Sequence, residues 1–486
     1  MALPAGFVDE LEDALGAGFV ITEPEQLATY DCDGLTGWRA RPACVVLPGS
    51  TAEVQAVLRL CARESVPFVA RGAGTGLSGG ALPVADGVVV ALARMNRILE
   101  IDLESERVVV EPGVANLDVT RAVAADGYFY APDPSSQQVC TIGGNLAENS
   151  GGAHCLKHGF TVNHVTGAKV VLADGELLVL GGKALDAIDG PDLLGVIVGS
   201  EGTLGVAVEI TLRILRAPEV VVTQLAAFRT VDAAGDAVSR VVAAGILPSA
   251  MEIMDSVTLE AAEAAYAPGY PENAGAVLLV ELDGVAAQVA LDTEEVDGLC
   301  RAAGAFEIRT AHDPDERARL WLGRKGAFAA MGRVSPDYYV QDGVVPRTRL
   351  PAVLRRIEEL SAEHGLRVGN VFHAGDGNLH PLVLYDGAAD GEVERAKTLA
   401  DAILAACVDA GGSLTGEHGV GVDKACAMPS MFSEHDLEAF ARLRRAFDPA
   451  GLANPGKVLP TPRLCGEVPG PYRMHPLERL GLAERF

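Results

Sequence analysis

The segment RGAGTGLSGG, from Arg71 to Gly80, constrains the fold of this chain more than any other feature. Gly74, Gly76 and Gly79 have the G-x-G-x-x-G spacing, which in a dinucleotide-binding βαβ unit leads directly into a helix. Here a Leu-Pro pair and the apolar run GVVVAL follow instead, and these predict a turn and a strand. The spacing therefore does not indicate a Rossmann fold. It indicates a stretch of backbone N–H groups that can bind an anion such as a pyrophosphate, with an ordinary glycine turn as the alternative.

Two further segments combine glycine with small hydroxyl and amide side chains. They are APDPSSQQVCTIGGNLAENSGG, residues 131–152, and VGSEGTLGV, residues 198–206. Such side chains suit hydrogen bonds to a flavin ring, a ribityl chain or phosphates. Three segments of this kind in one region favour a large cofactor with phosphate groups over three unrelated loops.

The remaining chain alternates short apolar runs with amphipathic stretches. Ser50 and Glu53 have the spacing of a capping box, and apolar residues then recur at helical intervals. The runs ACVVL, PFVA, GVVVAL and RVVVEPG predict strands, and Asp174-Gly175 predicts a hairpin turn. After Pro218 the order strand–helix–strand, then helix–strand–helix, is typical of a ferredoxin-like layer. The predicted fold class is α+β.

Length and charge limit the classes of protein that fit. A chain of 486 residues is too long for one ordinary core and predicts two or three packed units. The formal net charge of −27 repels phosphate backbones and argues against a nucleic-acid partner. An anionic substrate would therefore need a local positive site.

Cysteine usage and hydropathy bear on location. The nine cysteines show no C-x-x-C spacing, which predicts reduced thiols and argues against an iron–sulfur cluster on this chain. No apolar run reaches the length of a membrane span, and the acidic N-terminal segment does not resemble a signal peptide. These features predict a cytoplasmic protein, or one docked at the inner face of a membrane through a partner.

Two later turns carry groups that can bind metals and protons. His373 and His380 flank a predicted hairpin turn, and Glu417 and His418 lie in the glycine-bracketed segment TGEHGVG. Two imidazoles and a carboxylate form a common divalent-metal site with open positions. The alternatives are histidines with structural roles only, or a metallohydrolase in which the glycine loops are structural.

Taken in order, these motifs resemble the FAD-linked oxidases of the vanillyl-alcohol oxidase superfamily. The match is strongest to the branch with the flavin subunit of glycolate oxidase, D-lactate dehydrogenase and D-2-hydroxyglutarate dehydrogenase. The resemblance implies a PCMH-type FAD-binding domain of two α+β subdomains and a ferredoxin-like α+β cap for the substrate. The implied segments are an N-terminal helical segment 1–40, the FAD-binding domain 41–216, the cap 217–415, a return to the flavin domain 416–460, and an extension 461–486.

The resemblance also implies residue roles. His373, His380 and Glu417 match the ligands of a divalent metal such as Zn, Mn or Fe, His418 matches the base, and Arg324 matches the clamp for the substrate carboxylate. Thr75 stands where members with covalent flavin have a histidine, which implies non-covalent FAD. The residues implied to bind FAD are Arg71, Gly72, Ala73, Gly74, Thr75, Gly76, Ser78, Gly79, Gly80, Pro132, Asp133, Thr141, Gly143, Gly144, Asn145, Asn149, Gly151, Gly152, Glu201, Gly202, Gly205, Val206 and Asn454.

The implied reaction is the oxidation of a small 2-hydroxy acid to the 2-oxo acid. Glycolate or D-lactate is favoured, because Val340 stands where the resemblance places a lysine in the D-2-hydroxyglutarate enzyme. Electrons would pass to a separate iron–sulfur subunit or a quinone, in a homodimer or a hetero-oligomer. The alternatives are a D-2-hydroxyglutarate-type dehydrogenase and a flavin-dependent alkyl transferase, although the latter carries a run of histidines where this chain has GEHG.

Overall fold

The computed structural model describes residues 3–182, 190–311 and 313–460 together with the backbone of residues 484–485, and it confirms the α+β fold class. The α-helices are α1 (Phe7–Leu15), α2 (Pro24–Leu27), α3 (Thr51–Glu64), α4 (Asn116–Val123), α5 (Ile142–Glu148), α6 (Cys155–His158), α7 (Leu193–Ile197), α8 (Val231–Ala243), α9 (Ser256–Tyr266), α10 (Ala286–Ala302), α11 (Pro314–Ala330), α12 (Leu350–His364), α13 (Glu392–Asp409) and α14 (Glu434–Phe447). Short 3-10 helices span Ala17–Phe19, Ala28–Tyr30, Ala124–Asp126, Thr161–Asn163, Met331–Arg333, Arg347–Arg349 and Ala425–Ser430.

The strands are β1 (Val20–Ile21), β2 (Trp38–Arg39), β3 (Cys44–Val46), β4 (Phe68–Arg71), β5 (Val88–Ala91), β6 (Ile98–Asp102), β7 (Arg107–Val110), β8 (Tyr128–Phe129), β9 (Val165–Val171), β10 (Leu177–Gly181), β11 (Val206–Arg213), β12 (Leu215–Arg216), β13 (Val220–Phe228), β14 (Ala250–Asp255), β15 (Ala276–Gly284), β16 (Glu307–Thr310), β17 (Asp337–Val340), β18 (Gly343–Val344), β19 (Val368–His373), β20 (Asn378–Leu379), β21 (Pro381–Tyr385) and β22 (Glu484–Arg485). Apart from β22, the predicted extension 461–486 lies outside the described residues.

The chain divides into two compact units. The first unit comprises Met1–Gly151, Phe160–Arg216 and Glu417–Phe486, and the second comprises Gly152–Gly159 and Ala217–Gly416. No described helix combines the length and the apolar character needed to cross a bilayer. Among the eight described cysteines seven are free thiols, but Cys426 takes part in a disulfide bond, so the expectation of uniformly reduced thiols is wrong at that position.

A small sheet in the first unit carries the glycine loop. Its strand order is β1-β3-β5-β4, and β3, β5 and β4 run parallel. Helix α3 packs its apolar side on this sheet, as its periodicity predicts. Ser50 Oγ accepts the N–H of Glu53, as in the predicted capping box. The Glu53 carboxylate, however, accepts the N–H of Gly49 and not that of Ser50. The loop from Arg71 to Gly80 begins at the carboxyl end of β4.

A five-stranded antiparallel sheet completes the core of the first unit. Its order is β10-β9-β11-β7-β6. The hairpin predicted at Asp174-Gly175 is confirmed, since Leu177 pairs with Val171 on either side of that turn. Val108 and Val110 of β7 are buried and pack with α4 and α5 in one apolar cluster.

The second unit is built on a nine-stranded antiparallel sheet. The elements predicted after Pro218 are present as β13, α8, β14, α9, β15 and α10, and later strands extend the sheet to β19, β20 and β21. Side chains alternate between the two faces of each strand. Ala226 and Phe228 therefore pack with α8, α10, α12 and α13, whereas Leu225 and Ala227 pack with α9 and α11. The second of these faces carries the polar groups described below.

Candidate functional site

The glycine loop of the first unit presents backbone donors. Gly74 and Gly79 have φ angles of +69° and +79°, which other residues rarely adopt. The backbone N–H groups of residues 73–80 donate to no partner within the part of the chain that the structure describes. A run of unpaired N–H groups in a half-buried loop needs an acceptor, and an anionic group such as a pyrophosphate supplies one.

The side chain of Arg71 packs against this loop. Its guanidinium lies against Gly74, where a Cβ atom would clash with it, and over the ring of Tyr30 at 5.7 Å. Burial lowers the pKa of Arg71. The side chain therefore supports the loop and places a positive charge beside its N–H groups.

The second glycine segment contacts the first. Gly72 lies against Thr141, the N-cap of α5, whose hydroxyl accepts the N–H of Gly144 at 3.3 Å. Gly80 lies beside Glu148 at the end of the same helix, where a Cβ atom would approach the carboxylate within 2.6 Å. Gly143 packs on Pro112, whose Cβ atom would lie 2.5 Å from a Cβ atom at this position. These close approaches explain the glycines at three of the predicted positions.

Two predicted asparagines use their amides on the protein itself. Asn145 donates to Asn116 at 2.8 Å, and Asn116 donates to the carbonyl of Pro132 at 2.9 Å. Asn149 ends α5 with a φ angle of +55° and accepts the N–H of Val162. Asn116, which the sequence did not single out, therefore joins Asn145 to the segment that contains Asp133.

The third glycine segment leads into β11. Glu201 and Gly202 have φ angles of +52° and +68°. Gly205 packs so closely on β9 that a Cβ atom would lie 2.8 Å from the side chain of Val170, and Val206 then pairs with Val171. Gly152, by contrast, belongs to the second unit, as do Arg324, His373 and His380.

The turn that carries His418 is held on the first and third glycine segments. Ser78 Oγ donates to the carbonyl of His418 at 2.9 Å, and the carbonyl of Ser78 accepts the N–H groups of Val422 and Asp423. The Glu201 carboxylate accepts the N–H groups of Val420 and Gly421. Next to it, Gly151 leaves room for Glu417, since a Cβ atom there would lie 2.6 Å from the carboxylate. His418 Nε2 lies 3.9 Å from Glu417 Oε1.

Asn454 connects two of the glycine segments. Its amide nitrogen donates to the carbonyl of Gly80 at 2.8 Å and to the carbonyl of Glu201 at 2.6 Å. Its amide oxygen accepts from the ammonium of Lys457. The residue expected to return to the flavin thus fixes the backbone of two segments implied to bind it.

In the second unit the two candidate metal-binding histidines lie together. The rings of His373 and His380 stand edge to face with centroids 5.1 Å apart. Both side chains are almost fully buried. Each ring has a carboxylate near its Nδ1 atom: Glu252 at 2.7 Å from His373, and Asp342 at 3.8 Å from His380. The hydrogen bond to Glu252 leaves the Nε2 atom of His373 as its candidate ligand atom, because a carboxylate on the opposite nitrogen fixes the ring and its tautomer, whereas Asp342 lies beyond hydrogen-bond distance of His380 Nδ1.

Arg324 takes part in the same polar group. It is 3% exposed and its guanidinium lies 2.6 Å from Glu252, so its charge is balanced by a buried carboxylate. One Nη atom also lies 3.4 Å from His373 Nδ1. The sequence pointed to Arg324 but missed Glu252 and Asp342. The available signal was a carboxylate within an otherwise apolar strand, SAMEIMD.

Comparison with known proteins decides the family. The family described as FAD linked oxidases, C-terminal domain, matches residues 217–458, and the FAD binding domain family matches residues 42–181. The glycolate oxidase subunit GlcD of Escherichia coli (strain K12) is 50% identical over 456 residues, which cover 94% of this chain and 91% of that protein. The chain belongs to the FAD-linked oxidases.

Two further relatives extend this assignment. The D-lactate dehydrogenase of Anaerostipes hadrus is 32% identical over 438 residues, covering 88% of this FAD-linked oxidase and 92% of its own length. The solved structure of p-cresol methylhydroxylase with bound substrate has a TM-score of 0.77 at 19% identity and covers 93% and 96% of the two chains. That likeness shows the fold alone, which is the PCMH-type fold expected from the sequence.

The first unit of this FAD-linked oxidase fits FAD. Its glycine loop offers unpaired N–H groups, and no atom lies within 4 Å of where a Cβ atom at Gly76 would stand. The protein is an FAD-dependent oxidoreductase. The metallohydrolase alternative, with purely structural glycine loops, is thereby set aside.

Proposed function

We propose that this FAD-linked oxidase converts a short 2-hydroxy acid, glycolate or D-lactate, to the 2-oxo acid. The observation that carries the proposal is the hydrogen bond from Ser78 to the His418 backbone, which ties the candidate base to the loop implied to bind the pyrophosphate. The names of the relatives support the substrate class, since they are a glycolate oxidase subunit and a D-lactate dehydrogenase.

His418 is the proposed base. Oxidation of an alcohol removes the hydroxyl proton and a hydride from the same carbon, so a proton acceptor must stand near the hydroxyl. An imidazole suits this role at neutral pH. Non-covalently bound FAD would accept the two electrons, because no side chain can do so. The hydrogen bond from Ser78 to its backbone carbonyl holds His418 independently of its ring.

His373 and His380 are the proposed ligands of a divalent cation, with Glu417 as the third ligand predicted from the sequence. Glu252 supports this role because it holds the His373 ring from the Nδ1 side, and Asp342 places a second carboxylate 3.8 Å from His380 Nδ1. A bound Zn, Mn or Fe ion would lower the pKa of the substrate hydroxyl and orient it. Glu417 follows Gly416 in the chain, and the N–H of Gly416 donates to Asp342.

Arg324 is the proposed site for the substrate carboxylate. A guanidinium has five N–H donors, and the contact with Glu252 leaves others for a second anion. Val340 favours a monocarboxylate over D-2-hydroxyglutarate, because this position of β17 has an apolar side chain and pairs with Leu382. An alkyl transferase remains the weaker alternative, since GEHG has one histidine.

The reduced enzyme must pass its electrons on. We propose a separate acceptor, an iron–sulfur subunit or a quinone, within a hetero-oligomer, with a homodimer as the alternative. The word subunit in the name of the GlcD relative supports a larger assembly. A cytoplasmic protein held at the inner face of the membrane by its partner fits this arrangement.

Anaerobic mixing of the yellow holoenzyme with glycolate, D-lactate, L-lactate and D-2-hydroxyglutarate, each alone, tests the proposal. We expect the flavin absorbance to fall with glycolate or D-lactate. Bleaching by D-2-hydroxyglutarate alone would contradict the monocarboxylate assignment. No bleaching by any of the four acids would contradict the reaction class.

A further inference from the structure

We propose that Glu201 is a positioning residue that fixes the catalytic turn, and that it acts through His418 and not as a flavin ligand. The inference rests on the proposed role of His418 as the base. The turn concerned comprises residues 418–423 and is called the His418 turn below. All contacts that support the proposal lie within the first unit.

The carboxylate of Glu201 binds the His418 turn with both oxygens. Oε1 accepts the N–H of Val420 and Oε2 accepts the N–H of Gly421, each at 2.7 Å. Burial raises the pKa of Glu201, whereas these two N–H groups lower it, since hydrogen bonds from N–H groups to a carboxylate favour its ionised form. Because the two N–H groups belong to consecutive residues, the carboxylate fixes both the position and the direction of this peptide.

Glu201 also limits the residue directly after His418. A Cβ atom at Gly419 would lie 2.8 Å from Glu201 Oε1 and would collide with the carboxylate of Glu148. The chain therefore passes so close to the two carboxylates that only glycine fits. Glu201 therefore lies against the residue next to His418 as well as binding Val420 and Gly421.

The backbone of Glu201 is itself held in an unusual conformation. Its φ angle of +52° is rare for a residue with a side chain. Its N–H donates to the carbonyl of Ala147 at 2.8 Å, and its carbonyl accepts the amide of Asn454 at 2.6 Å. Backbone strain of this kind persists where the surroundings determine it, and it is common at functional sites.

A buried lysine supports this arrangement from below. Lys457 Nζ donates to Asn454 Oδ1 and to the carbonyl of Leu82, both at 2.7 Å. The N–H of Val458 donates to the carbonyl of Gly421 at 2.9 Å. The chain of contacts from Lys457 through Asn454 and Glu201 therefore ends at the His418 turn, which Ser78 holds from the other side.

The test is a double-mutant cycle on the holoenzyme, with glycolate or D-lactate as the reductant, whichever bleaches the wild type. The variants are Glu201→Gln, His418→Ala and the double variant, and each is followed by the rate constant of anaerobic flavin reduction. Glu201→Gln presents an amide NH₂ to one of the two N–H groups, so we expect a drop of about 100-fold in that rate constant, the typical cost of a catalytic group misplaced by about 1 Å. We expect an unchanged substrate concentration for half-maximal rate and an unchanged FAD content. In the His418→Ala background Glu201→Gln should have little further effect.

Two more variants serve as a control and as a conservative substitution. Glu209→Gln is the matched control, because Glu209 lies in the same unit but forms a surface ion pair with Lys169; it should reduce flavin at the wild-type rate. Glu201→Asp keeps a carboxylate at this position and is the second variant to measure if Glu201→Gln does not fold. Its shorter side chain cannot reach both N–H groups, so we expect an intermediate rate.

The outcomes separate the two claims. Loss of FAD from Glu201→Gln, or an equal further drop in the His418→Ala background, would overturn the positioning role. A wild-type rate in both Glu201 variants would also overturn it. Fast reduction by His418→Ala alone would instead remove His418 as the base, which is a failure of the proposed function.

Discussion

Glu252 and His373 face each other across two neighbouring antiparallel strands, and Glu252 Oε1 lies 2.7 Å from His373 Nδ1. Directly opposed residues on one face of a sheet have side chains within reach of each other. Glu252 is fully buried, and its other oxygen contacts Arg324. One carboxylate thus links a candidate metal ligand to the candidate clamp for the substrate.

Glu252→Gln should weaken metal binding while leaving the two histidines in place. Loss of the carboxylate on His373 Nδ1 reduces the basicity and the orientation of the ring, and such changes commonly cost about 10- to 100-fold in metal affinity. Competition with a chelator, followed by metal analysis, measures the effect. Glu260→Gln is the control, because Glu260 forms an exposed ion pair with Arg367 in the same unit. Equal metal retention by both variants would contradict a role of Glu252 in the metal site.

Gly76→Ala should weaken FAD binding without destabilising the apoprotein. The backbone of Gly76 does not have a positive φ angle, and a Cβ atom there would meet no protein atom within 4 Å. We expect the Kd for FAD to rise at least about tenfold, since one lost charge-assisted hydrogen bond accounts for that factor. Titration of the apoprotein with FAD and a thermal melt measure the two quantities. Gly298→Ala in α10, which is also sterically open, is the control and should bind FAD normally.

Lys457 should make stability depend on pH in a defined direction. Burial lowers its pKa from 10.5 to about 7. Between these values the unfolded chain binds a proton that the folded protein does not, so the free energy of unfolding rises with pH in this window. Below about pH 7 both states are protonated, and the full cost of the buried charge, on the order of 5 kcal/mol, is present.

Lys457→Met removes this contribution. The difference between the thermal midpoints of the wild type and the variant should shift in favour of the wild type as pH rises from about 6 to 9. Scans of both proteins across this range measure it. A difference that stays constant with pH would mean that the folded ammonium titrates near its ordinary value.

Single strands, helices and turns were predictable because they depend on the residues within one short segment. The apolar run VVVTQLAAF forms β13 with the predicted bounds, and Asp174-Gly175 forms the predicted hairpin. The motif residues Ser78 and His418 were visible for a related reason, since each lies in a short segment bracketed by glycines. The sequence predicted the structure within each segment but not the contacts between segments.

The partners of the motif residues could not be predicted in the same way. Glu252 lies 121 positions before His373, and only the pairing of β14 with β19 makes them neighbours. The contacts of the Asn454 amide nitrogen with the carbonyls of Gly80 and Glu201 are equally hidden, since these residues lie 374 and 253 positions away in the chain. Strand order and backbone hydrogen bonds between distant segments are tertiary properties, and no periodicity in the sequence reports them.

The rate of flavin reduction in His418→Ala tests the central claim most directly. The variant should retain FAD, because Ser78 binds the backbone of residue 418 and not its side chain. Removing a general base typically costs about 10²- to 10⁴-fold. In anaerobic stopped-flow mixing with glycolate or D-lactate we therefore predict a yellow protein whose flavin is reduced at least about 100-fold more slowly than in the wild type. Reduction at the wild-type rate would contradict the account.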